Sequence, residues 1–120
     1  MTSIECRIDD THHMLDIKGH TQSRICAGIS TLACTLQAVV EADESAKDVS
    51  IHLEPGDMHL EFDTDDEFTI ASFEFTCLGL MKIWYTYPGQ VSIGKNMAKI
   101  YGIQDLHGET DENIYANLPL

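Results

Sequence analysis

Along residues 3–9, SIECRID, apolar and polar side chains alternate: Ile4, Cys6 and Ile8 share one face, and Ser3, Glu5 and Arg7 the other. That period of two is the mark of a half-buried strand. Asp9-Asp10-Thr11-His12 carries turn chemistry, with His12-His13 read as part of the turn. Residues 13–19, HMLDIKG, resume the alternation with Leu15 and Ile17 inward. The two runs predict a hairpin, and His20 lies just past its end.

From Cys26 to about Ala42 the period lengthens. Ile29, Ala33, Leu36 and Val40 recur at helical spacing, with Leu32 and Val39 beside them. Ala27, Gly28, Ser30, Ala33 and Ala38 are small, which suits a helix lying close on a sheet, and Asp43-Glu44-Ser45 ends it. Residues 48–63, DVSIHLEPGDMHLEFD, predict a second hairpin about Pro55-Gly56. Pairing Glu54 with Asp57 sets Leu53 opposite Met58 and His52 opposite His59. The apolar face then runs unbroken across both strands, which fixes the register.

Cap-like acids over Thr64–Glu67 introduce a second helix, from Phe68 to about Tyr85, with Ala71, Phe75, Leu78 and Ile83 or Trp84 as its apolar stripe. Tyr87-Pro88-Gly89 stops it. Gln90–Lys95, with Val91 and Ile93 inward, reads as a last short strand. The order ββαββαβ predicts one α+β domain over residues 1–95, an antiparallel or mixed sheet with two helices packed on one face. Residues 96–120 are polar, acidic and weakly patterned, and are expected to form a partly ordered tail.

Composition narrows the function classes. At 120 residues and 43% hydrophobic content the chain supports one domain with a modest core. Twenty acids against 7 bases give a net charge of −13. Such a surface repels phosphate backbones, so a nucleic-acid partner is excluded, while a basic partner is favoured. No segment reaches the roughly eighteen consecutive apolar residues of a membrane span, and MTSIECRIDD has neither the basic start nor the apolar core of a signal peptide. The chain is therefore expected in the cytoplasm, away from membranes. Cys6, Cys26, Cys34 and Cys77 fit that compartment as free thiols, and no Cys-x-x-Cys pair points to a zinc knuckle or redox motif.

Candidate chemistry centres on His20 and Cys26. A helix N-terminus favours a thiolate, because its unpaired N–H groups and dipole stabilise the anion. The same N–H groups can hold the oxyanion of a tetrahedral intermediate. A histidine within hydrogen-bond reach would take the thiol proton and later protonate a leaving amine. The short loop between the two residues permits that geometry without enforcing it. Spacing alone fits two ordinary residues as well, since cysteine is among the most buried types.

The run strand, Gly19-His20, loop, then "CAGIS" opening a helix resembles the ribosomal-processing cysteine protease family, Prp. The later "GLMKIWYTYPGQVSI" is similar to that family's second helix, which ends in Tyr-Pro before a last strand; the likeness covers roughly residues 3–95. The resemblance implies a small cytoplasmic hydrolase, often a homodimer. Members remove an N-terminal extension from a large-subunit ribosomal protein, cutting after aromatic residues, and phage relatives process capsid or scaffold proteins. It implies Cys26 as nucleophile and His20 as general base, with Gly19, Ala27 and Ser30 on the substrate side. No metal or organic cofactor is implied. The loop Thr21-Gln22-Ser23-Arg24-Ile25 is shorter than the family's glycine-rich one, and Ser23 stands where an aspartate is expected. That change removes one group that could orient His20. The alternative is a catalytically inactive module that keeps the fold and binds a peptide or a ribosomal or capsid protein.

Other features are weighed beside this pair. His52 and His59, with Glu54 or Glu61, would need a third positioned ligand to hold a metal; otherwise they belong to a solvated face. Cys34, Cys6 and Cys77 read as core. The acids Asp57, Glu61, Asp63, Asp65, Asp66 and Glu67 read as a solvated face, or as attraction for a basic substrate tail. Trp84, Tyr85 and Tyr87 are expected to serve packing or a dimer contact, with an aromatic-accepting pocket as the functional reading.

Overall fold

The computed structural model describes residues 1–102 of the chain. Its elements are β1 (Thr2–Asp9), β2 (His12–Gly19), α1 (Ser23–Ala42), β3 (Lys47–Glu54), β4 (Asp57–Asp63), α2 (Glu67–Thr86), β5 (Val91–Ile93) and α3 (Lys95–Ile100). The five strands form one mixed sheet in the order β3-β4-β2-β1-β5. Three neighbouring pairs are antiparallel and β5 joins β1 in parallel. This is the expected α+β domain with its ββαββαβ order, followed by the additional helix α3.

Both hairpins pair as their hydrophobic patterns predict. Leu53 faces Met58 and His52 faces His59, while Cys6 faces Leu15 and Ile4 faces Ile17. Two apolar positions depart from the pattern. Val49 is 47% exposed, because the β3–β4 register shifts between Lys47 and Ser50 and lifts it off the core face. Ile8, close to the β1–β2 turn, is 38% exposed. Its cross-strand partner His13 is buried instead.

His13 is therefore a core residue of β2 and not a turn residue. Its ring stacks on Phe62 at 5.4 Å and meets Phe73 edge-on at 5.0 Å. Nδ1 is 2.8 Å from the Thr11 carbonyl. Burial pushes the imidazole below its ordinary pKa, so it packs as a neutral ring.

The helices cover one face of the sheet. Ile25, Ile29, Ala33, Leu36 and Val40 of α1 are buried, the expected stripe extended by one turn at the N-terminus. By length and mean hydropathy, 1.5 over its best window, α1 could cross a membrane. Its buried stripe, packed in the core with Leu15 and Leu60, marks it here as a core helix. The phase of α2 differs from the expected one. Thr69, Phe73, Thr76, Cys77, Leu80, Met81 and Trp84 face the core, whereas Ala71 and Phe75 are exposed and Leu78 is half-buried. The helix is apolar on both sides, so the pattern alone leaves its rotation open. Asp66 caps the first turn by accepting from the Thr69 N–H at 3.0 Å, and Phe73 then meets Phe62 edge-on at 6.0 Å.

The tail expected over 96–120 begins with α3, whose Met97 and Ala98 are buried. The Glu5 carboxylate accepts from the Met97 N–H at 2.9 Å and seats this helix beside β1. Residues 103–120 lie outside the described residues.

Asp43, at the C-terminus of α1, ties three elements together. One carboxylate oxygen accepts from the Ser45 N–H and hydroxyl, the other from the hydroxyls of Thr64 and Thr69 at 2.6 and 2.8 Å. Those hydrogen bonds, the Ser45 and Thr64 hydroxyls foremost, hold its pKa far below the ordinary value of 3.8. A carboxyl lowered on folding contributes stability that is complete above 3.8 and is lost as the pH falls from there towards the folded value. Asp43→Ala should cost about 1–3 kcal/mol at neutral pH by leaving buried threonine hydroxyls without this acceptor. Urea unfolding across the acid range should show that part of the pH slope in the wild type and not in the variant.

Candidate active site

The pairing of β2 with β4 builds one end of the sheet into a cavity. Lys18, the last residue of β2 that pairs with β4, lies opposite Asp57, the first residue of β4. The Gly19 N–H then donates to the Gly56 carbonyl at 2.9 Å. On its other side Gly19 pairs with Thr2 of β1. Gly19 takes φ +96, and a β-carbon there would come within 2.3 Å of the Met1 carbonyl oxygen. Glycine is thus required both by the backbone conformation and by the close approach.

Past Gly19 the chain turns through His20, Thr21 and Gln22 into α1. The helix starts at Ser23, with Gln22 as N-cap, three residues earlier than the apolar spacing suggests. This corrects the position of Cys26. Its own N–H donates to the Gln22 carbonyl at 2.9 Å, so it is one turn inside the helix and cannot supply an oxyanion donor from its own backbone. The groups without an intrahelical partner by position are the N–H groups of Ser23, Arg24 and Ile25.

The Cys26 side chain leans back over that first turn, as helical side chains do. The Thr21 N–H points at its sulfur at 3.4 Å, and the thiol lies 3.5 Å from the Thr21 carbonyl oxygen. The Thr21 hydroxyl donates to the Gln90 side-chain carbonyl at 2.6 Å, tying this loop to the start of β5. His20 is exposed.

His20, Cys26, Gly19 and Ser30 all line one cavity of about 200 Å³. Ser30 sits one helical turn after Cys26. Ala27 is exposed and is not part of the lining. No hydrogen bond joins His20 to Cys26, and none reaches the His20 ring among the described residues; the thiol is engaged by Thr21. A larger cleft of about 590 Å³, between the end of α1 and the start of α2, carries no cysteine or histidine.

The cavity also contains residues that the sequence pattern did not single out as functional. Leu53 and Met58 supply apolar wall from the second hairpin, and Glu54-Pro55-Gly56 form its rim. Thr2 contributes from β1, and its buried hydroxyl has no partner among the described residues. Pro55-Gly56 is legible in the sequence as a turn. That the turn overhangs His20 follows only from the β2–β4 pairing. Trp84, Tyr85 and Tyr87 do not line this cavity; Trp84 is core, and the two tyrosines pack partly against it.

The hairpin histidines each lie against carboxylates of their own face. His59 contacts Asp16 at 3.1 Å and Glu61 at 2.9 Å. His52 lies 3.6 Å from both Glu54 and Asp57. Among the described residues no group of three or more histidines, cysteines or carboxylates is arranged to hold a metal ion.

The fold and this cavity define a small two-layer α+β domain that presents two cysteines, Cys26 and Cys34, and a histidine, His20, in one cavity at an end of its sheet. No family model matches the chain, and no curated protein matches it by sequence. Among solved structures it is similar to the essential ribosomal processing protease Prp from S. aureus, crystallised with a covalently linked product peptide. The two share a TM-score of 0.64 at 19% sequence identity, over 78% of this chain and 98% of the other. The likeness shows that the fold is shared.

The four cysteines separate cleanly by exposure. Cys34 is exposed and Cys26 half-buried, which corrects the placing of Cys34 in the core, whereas Cys6 and Cys77 are fully buried. The Cys6 thiol and burial together raise the pKa of Cys77 well above its ordinary value. Iodoacetamide on the native protein should therefore modify Cys26 and Cys34 and spare Cys6 and Cys77 until denaturant is added. Peptide mass mapping reads this, and early labelling of Cys6 or Cys77 would contradict the packing described.

Proposed function

We propose that the chain is a cysteine endopeptidase of the Prp kind, with Cys26 as nucleophile and His20 as general base. One observation carries this reading. In a fold shared with a peptide-bound protease, the two residues line a single cavity with Gly19 and Ser30 beside them. The Cys26 sulfur attacks a peptide carbonyl carbon while His20 takes the thiol proton. His20 then protonates the departing amine, leaving an acyl-enzyme that water hydrolyses. The N–H groups at the start of α1 are the donors for the oxyanion. Attack requires the thiol to turn from Thr21 towards His20, and catalytic hydrogen bonds that tighten only with substrate bound are common.

The proposed substrate is a protein or peptide with aromatic residues before the cut, such as the N-terminal extension of a ribosomal large-subunit protein or a phage capsid or scaffold protein. Ile29, Leu53 and Met58 offer an apolar wall for such a side chain. The proposed setting is the cytoplasm. A homodimer is part of the same reading. Phe68 and Phe75 are 70% and 75% exposed, beside a groove of about 390 Å³ between α1 and α2, and exposed apolar surface of this kind marks contact sites.

The engagement of the thiol by Thr21 favours one other reading, a binding module that holds a peptide in the cavity without cutting it. Incubation with peptides carrying paired aromatics before a small residue separates the two. Under the first reading the wild type cuts, Cys26→Ala does not, and His20→Ala loses about 10²–10⁴-fold in kcat. Binding without cleavage supports the module, and equal cleavage by Cys26→Ala removes this nucleophile. For the dimer, Phe75→Glu should shift the mass measured by light scattering from two chains towards one; a wild type that runs as a monomer sinks that part.

A further inference from the structure

We infer that Gly56, in the β3–β4 turn, is a positioning residue for His20. The inference rests on the reading of His20 as the proton-carrying group.

An imidazole that relays protons has to be held in one place. A hydrogen-bonded carboxylate usually does this. No hydrogen bond reaches the His20 ring among the described residues. The β3–β4 turn bears on its position in two ways. The Gly56 carbonyl accepts from the Gly19 N–H at 2.9 Å, which fixes the backbone immediately before His20. The ring itself lies against the Gly56 α-carbon. A β-carbon at Gly56 would fall 2.2 Å from Nε2, 2.7 Å from Cε1 and 2.9 Å from Cδ2 of His20. Real β-carbons do not approach that closely, so something would have to move. The atoms in the way are the far end of an exposed side chain, so the imidazole would be displaced before the sheet was. The absence of a side chain at Gly56 is thus what leaves room for the ring.

Gly56 also takes φ +77, so any substitution there combines backbone strain with the steric effect. Gly89 separates the two. It takes φ +81 with nothing within 4 Å of an added β-carbon. Gly89→Ala therefore carries the strain alone. Asparagine tolerates the left-handed region better than alanine, so Gly56→Asn gives a β-carbon at lower strain should Gly56→Ala fold poorly.

The experiment uses the full chain. In the wild type, a nuclear Overhauser contact between the His20 ring protons and the Gly56 α-protons is expected. Gly56→Ala and Gly56→Asn should move the His20 ring resonances, while Gly89→Ala leaves them unchanged. With a peptide that the wild type cleaves, the two Gly56 variants should lose about 10²-fold in kcat with KM little changed, the scale of a misplaced catalytic group. Gly89→Ala should keep the wild-type values. A missing Overhauser contact overturns the inference, and so do Gly56 variants whose His20 ring resonances match those of Gly89→Ala. A wild type that cuts no peptide defeats the reading of function alone, and the NMR comparison then decides the placement of the ring.

Discussion

The antiparallel pairing of β2 with β4 is the constraint on which the rest of the structure depends. It splices two hairpins, each able to form locally, into one sheet of order β3-β4-β2-β1. Because Lys18 lies opposite Asp57, the end of β2 is brought against the tip of the other hairpin. The Gly19–Gly56 hydrogen bond closes that junction. Thr2, paired with Gly19, completes it from the opposite side. A slip of one residue between β2 and β4 would turn Leu15 and Ile17 out to solvent, and it would separate His20 from the wall of its cavity. Core burial and site geometry are thus set by the same register.

The helix layer follows from that sheet. Leu15, Ile17, Leu60 and Phe62 present one apolar face, and α1 lays a single stripe upon it. For α2 the choice is between two apolar sides. The side bearing Phe73 wins because Phe62 and the neutral ring of His13 offer it an aromatic contact on the sheet. Asp66 fixes where the helix begins, and Asp43 links that start to the end of α1 through Thr69. The losing side leaves Phe68 and Phe75 in solvent.

On the open face of the sheet the excess of acid has to be accommodated. Like charges directly across a strand pair repel, and the pattern interleaves imidazoles between carboxylates. His12 bridges Glu61 and Asp63, and His59 bridges Asp16 and Glu61. The Glu61 and Asp63 hydrogen bonds raise the pKa of His12. His59 is raised as well, the carboxylates of Glu61 and Asp16 outweighing the opposing effect of burial. Lys18 pairs with Asp57 at the junction end of the same face. These contacts leave His12 and His59 each set between two carboxylates on that face.

How much was legible in the chain depends on the range of the interaction that decides each feature. Alternation, turn residues and helical spacing act within a few residues, and they determined both hairpins, the β3–β4 register next to the Pro55-Gly56 turn and the order of the elements. They did not determine the register shift that exposes Val49. The motif around Gly19, His20, Cys26 and Ser30 was likewise visible, and these residues do come to one cavity. The start of α1 and the rotation of α2 were not, because a helix that is apolar on two sides has no single phase until a partner surface selects one. His13, read as turn, became core for the same reason: aromatic neighbours from β4 and α2 surround it. Cys34, read as core, faces solvent. The seat of His20 on Gly56 was beyond local reading altogether. Those residues lie far apart in the chain, and only non-local strand pairing, which carries no signature within a short window of sequence, sets one against the other.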